Sequence, residues 1–84
     1  MILGKYTIYD SALEGYNQDW TMHNDGIALR EFKDMCNSDT KIAQNPEDYS
    51  LWKIGSFDNV TGELIPQDLE CLAKAHEQVY TTDK

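Results

Sequence analysis

The sequence predicts an α+β fold, a small mixed sheet of three or four strands with two helices packed on one face. Two observations carry this. Hydrophobic residues alternate in Ile2–Tyr9 and crowd the aromatic stretch Tyr49–Phe57, whereas Ala28, Phe32, Met35 and Cys36, and later Leu69, Leu72, Ala73 and His76, recur at helical spacing. The segments are also separated by turn formers, so each period belongs to its own element. With 84 residues the chain is sized for one domain, 1–84, whose last residues, 80–84, read as a flexible tail. A core this small gains from self-association.

Taken in order, Ile2–Tyr9 alternates well enough to be a strand, and Asp10–Asp19 reads as a connection with room for one helical turn. Trp20–His23 suits a second short strand. Asn24 and Asp25 supply an N-cap, after which Arg30, Glu31, Lys33 and Asp34 cover the side of a helix opposite its apolar stripe. Asn37, Ser38 and Asp39 favour local hydrogen bonds over helix and end it. Pro46 marks entry to the Tyr49–Phe57 strand, and Asp58–Gly62 offers Asx residues and a glycine for a hairpin turn. Glu63–Ile65 would be a brief return strand stopped by Pro66, which also suits the first turn of a closing helix. A right-handed crossover through the first helix would set the Ile2 and Tyr49 strands parallel and adjacent.

Fifteen acidic against seven basic residues give a formal charge of −8, which repels nucleic-acid phosphates at long range. No run approaches the roughly 20 apolar residues of a membrane span, and Met1–Lys5 does not resemble a secretory signal, so the reading is a cytoplasmic protein without a membrane. Cys36 and Cys71, with no Cys-x-x-Cys pairing, read as two small buried hydrophobes.

No pattern supports an enzyme. His23 and His76 lack a ligand-spaced neighbour, Asp58–Glu63 lacks the spacing of a calcium loop, and no serine lies in a nucleophile elbow. Glu47 and Asp48 have neither a nucleophile nor a phosphate loop beside them. No metal or other cofactor is expected. What remains is aromatic: tyrosines and tryptophans on strands can stack unpaired bases. Lys5 and Lys53, placed on adjacent strands with Tyr9 and Tyr49 outward, form the one basic and aromatic constellation that alternation offers, with Arg30 and Lys33 nearby on the first helix.

Ile8-Tyr9-Asp10-Ser11, then Asp25-Gly26-Ile27-Ala28-Leu29-Arg30-Glu31-Phe32-Lys33-Asp34, then Asn45 through Asp58 with Thr61-Gly62, resemble the small non-structural protein of gokushoviruses, tailless microviruses with single-stranded DNA genomes. The similarity covers roughly Tyr6 to Ile65, and the Pro-Glu-Asp-Tyr to Gly-x-Phe-Asp run is its most specific part. The resemblance implies a non-capsid, non-enzymatic protein in the cytoplasm of an infected bacterium. It further implies DNA binding, in the switch from double-stranded replication to single-stranded genome synthesis. The expected site is Lys5, Tyr9, Arg30, Lys33, Tyr49 and Lys53 on single-stranded DNA, in a homodimer. The rival expectation is an acidic adaptor that binds a viral or host replication protein and reaches DNA only through it.

Overall fold

The computed structural model describes residues 1–78. Five strands run in the order β1 (Ile2–Asp10), β2 (Gly15–Tyr16), β3 (Trp20–Met22), β4 (Tyr49–Asp58) and β5 (Leu64–Lys74), with helices α1 (Asp25–Ser38) and α2 (Thr40–Gln44) between β3 and β4. The class is mixed α and β, as the sequence predicts, with more strands than expected. β1 lies between β4 on one side and the short β2 and β3 on the other, and β4 is flanked by β5. Every pairing is antiparallel.

The predicted parallel crossover is therefore corrected. β2 and β3 carry the chain back along the free edge of β1, so the helices deliver it to the far end of β1, and Tyr49 starts β4 opposite Asp10. A helix following one strand directly would have returned the chain the other way. At the β1–β2 bend, the Asp10 carboxylate accepts hydrogen bonds from the backbone N–H of Ala12 (3.0 Å) and Leu13 (3.4 Å), an Asx turn in place of the expected helical turn.

α1 starts where the sequence places it, with the Asn24 side chain accepting from the Ile27 N–H at 2.9 Å. Its buried residues are Ala28, Phe32 and Cys36, while Met35 is partly buried against the same core. α2 adds Ile42, and both helices meet Tyr6, Ile8, Tyr49 and Leu51 in one core cluster. Tyr6, Phe32 and Leu51 are fully enclosed. Each such side chain contributes on the order of 1.5–3 kcal/mol. The two helices thus share one face of the sheet, although neither is the second helix the sequence predicts.

That helix is replaced by β5. The Asp58–Gly62 turn forms as expected, with the Asp58 carboxylate accepting from Val60 N–H at 2.9 Å and Gly62 at φ 80°. The return strand then continues through Pro66 to Lys74. Pro66 is tolerated because β5 is an edge strand. Gly55 opposite it is required, since a Cβ there would stand 2.5 Å from the Ile65 carbonyl oxygen. Two irregularities break the ladder: Leu72 is an extra residue between the pairs Leu51–Ala73 and Trp52–Cys71, and Gln67, Asp68 and Leu69 lie against Ile54 alone. A short 3-10 turn, Ala75–Glu77, follows. The end of the predicted closing helix, at Val79 or Tyr80, and the 80–84 tail lie outside the described residues.

Candidate nucleic-acid interface

Cross-strand partners in an antiparallel sheet share a face, so the register divides the side chains into two sets. Tyr6 with Lys53, Ile8 with Leu51, and Asp10 with Tyr49 point to the helices; Thr7 with Trp52, and Tyr9 with both Ser50 and Tyr16, point the other way. A bulge at Ile54 makes Gly55, not Lys53, the partner of Lys5. The expected constellation is thereby split. Lys5 and Tyr9 stand on the open face, Lys53 and Tyr49 on the helix face, and Arg30 and Lys33 are exposed on α1.

Tyr49 is enclosed, contrary to its predicted exposure. Burial is the main influence raising its hydroxyl pKa above the usual value, and the carboxylates of Asp10, Asp48 and Asp39 add to it. Lys53 is occupied by structure: its Nζ lies 3.1 Å from Asp25 Oδ1, to which the Tyr6 hydroxyl also donates at 2.6 Å. This network ties the first residue of α1 to two central strands. The Tyr6 hydrogen bond, reinforced by Lys53 and opposed by partial burial, holds the Asp25 carboxyl below its usual pKa. Tyr6 in turn is pushed upward, first by burial and then by Asp25. Its ring lies back over Gly4, where any Cβ would collide with it.

The open face carries an aromatic group that the expected site lacks. The Tyr9 and Tyr16 rings pack tilted at 55° with centroids 4.8 Å apart, and Tyr16 meets Trp52 edge-on at 6.4 Å with an interplanar angle of 83°. Trp52 Nε1 donates to Ser50 Oγ at 2.9 Å, which fixes the indole on this face. Among the described residues no helix covers these rings, and Tyr16 is 43% exposed. Beneath them Thr7 is buried and donates from Oγ1 to the Asn17 carbonyl at 2.7 Å, closing the gap between β2 and β3. Lys74, paired with Ser50 across β4 and β5, adds an exposed amine on the same side. Trp52 could have been found from the alternation of β4 had its covered side been known, whereas Tyr16 joins it only through the pairing of β2 with Tyr9.

The cysteines are both free, but only Cys36 is buried; burial raises its thiol to about 11, whereas Cys71 is exposed on β5. His76, expected on the apolar stripe of a closing helix with Leu69, Leu72 and Ala73, is exposed in the closing turn. Among the described residues no three His, Cys, Asp or Glu side chains could share a metal ion. No helix among the described residues is long and apolar enough to cross a membrane.

A family model described as phage ORF5 protein matches residues 3–78, from β1 through the turn after β5. The chain belongs to the phage ORF5 protein family. The span matched in this family includes both helices and the clustered Tyr9, Tyr16 and Trp52 of the open face, so sheet, helices and candidate interface fall inside one family unit. No curated protein and no solved structure matches the chain.

Proposed function

We propose that this phage protein is the non-structural, non-enzymatic DNA-binding protein of a gokushovirus, a member of the Microviridae. In this reading it contacts single-stranded DNA during the switch from double-stranded replication to single-stranded genome synthesis in the host cytoplasm. The observation that supports contact with DNA is the uncovered Tyr9, Tyr16 and Trp52 group on a rigid sheet, with Lys5 and Lys74 beside it. Every base has a π-face, so such a group takes unpaired bases without regard to sequence, at roughly 1–3 kcal/mol per stacked base. A charge of −8 opposes long-range approach, which limits binding to weak, local contact.

The site is therefore Lys5, Tyr9, Tyr16, Trp52 and Lys74, with Tyr49 and Lys53 acting through the fold. Pairing of two copies belongs to the same reading and is supported by exposed Met1, Ile2, Val60 and Leu64 at the hairpin end of the sheet. The acidic charge favours a second reading, an adaptor that binds a viral or host replication protein. Fluorescence anisotropy on a labelled single-stranded oligonucleotide separates the two: binding at low salt that Trp52→Ala weakens supports direct contact, and no binding at low salt favours the adaptor. Purification from infected cells with and without nuclease then identifies what travels with the protein.

A further inference from the structure

The open face holds a cation that is already answered from within the chain. Lys5 Nζ lies 2.7 Å from Asp19 Oδ2, and the lysine is the more enclosed partner, 20% exposed against 47% for the aspartate. Lys5 and Asp19 border a groove of about 280 Å³ whose other sides include Ile54, Leu64, Ile65 and Pro66. Lys5 belongs to a strand paired on both sides, whereas Asp19 lies on the short connection between β2 and β3. The amine is thus held by the sheet, and the carboxylate sits at the rim.

We propose that Lys5 holds a backbone phosphate of a strand lying across the open face, and that Asp19 occupies the phosphate's place when no strand is bound. This rests on the single-strand reading above. Carboxylate and phosphate oxygens both accept charge-assisted hydrogen bonds from an ammonium, so one can replace the other. Apolar walls strengthen the attraction and make an uncompensated amine costly, so the exchange is one anion for another. The geometry brings a bound strand past this point. β1 presents Lys5, Thr7 and Tyr9 on one face at steps of about 6.5 Å, and Trp52 stands opposite Thr7.

Such an exchange has an ionic signature. A lysine without a partner releases counterions when it takes a phosphate, steepening the salt dependence by roughly 0.7 per single-strand contact. Here the displaced Asp19 becomes a bare surface anion and recruits a cation, so the Lys5 contact adds little to the slope.

The test is anisotropy on a fluorescein-labelled oligothymidine of about 15 nucleotides, a length within the usual range of single-strand sites. Asp19→Asn should bind about two- to fivefold tighter at low salt, the scale of a surface ion pair, with a slope steeper by roughly 0.7. Asp68→Asn, an equal change in net charge on the exposed part of β5, should change affinity much less. Adding Lys5→Ala to Asp19→Asn should abolish the gain. A wild-type chain that binds while Asp19→Asn leaves affinity and slope unchanged overturns the proposal and leaves the single-strand reading standing. A gain that survives Lys5→Ala, or that Asp68→Asn equals, overturns it in the same way. If neither wild type nor Asp19→Asn binds at low salt, both readings fall.

Discussion

Leu51 and Trp52 are neighbours in β4 and opposites in environment. Leu51 faces the helices and is fully enclosed, whereas Trp52 faces away, half-buried among Tyr16, Ser50 and Thr7. The comparison teaches that this sheet divides its labour by face: one side holds the molecule together, and the other leaves large rings unclaimed by the core. Leu51→Ala should cost about 2–5 kcal/mol, the range for emptying a packed leucine site, measured by denaturant unfolding. Trp52→Ala should cost about 1–2 kcal/mol of stability yet weaken oligonucleotide binding by roughly 1–3 kcal/mol. Equal stability losses for the two would break the comparison. Tyr49→Ala sharpens it, since any loss of DNA binding there should follow the loss of fold.

Smaller effects probe how the two faces are joined. Gly55→Ala should cost about 1–3 kcal/mol because the added methyl meets the Ile65 backbone, and the thermal midpoint should fall accordingly. Asp25 tests the tie between sheet and α1. Its folded pKa lies below its ordinary value of 3.8, so the folded chain binds fewer protons there than the unfolded chain. Its contribution is full above 3.8 and fades as pH falls through the lowered folded value. Asp25→Asn should destabilise the chain by about 1 kcal/mol at neutral pH and less in acid, and acid titration of stability should be shallower for the variant. An unchanged acid profile would show that the Tyr6 and Lys53 contacts stabilise nothing.

The sequence revealed β1, β4, the Asn24 cap of α1 and the Asp58 turn, because each carries local chemistry that the rest of the fold agrees with. β5 escaped it for a physical reason. Extra residues at Leu72 and at Gln67–Leu69 break the period of two, and the spacing left among Leu69, Leu72, Ala73 and His76 imitates a helix. Pairing with the long apolar β4 then outweighs that local preference. The site escaped by a parity error. β4 carries apolar or aromatic residues on both sides, Tyr49 and Leu51 against Trp52 and Ile54, so alternation could not say which side the helices cover. Lys5 and Tyr9 were placed on the open face by the same odd numbering that misplaced Tyr49 and Lys53.

The antiparallel topology also sets a timetable. β4 and β5 are joined by a tight turn, a closure of the kind that forms in about 1–10 μs, whereas β1 must wait for both helices and some forty intervening residues before it can pair with β4. The last-placed strands should therefore seed folding, and the first-made strand should dock into the centre of the sheet late. On a ribosome this means that one edge of β1 can pair early with β2 and β3, while its other edge remains unpaired until β4 has emerged. Pulse-labelled hydrogen exchange during refolding should find β4 and β5 amides protected before those of β1 that bond β4. Protection of β1 first, or of all three together, would contradict this order.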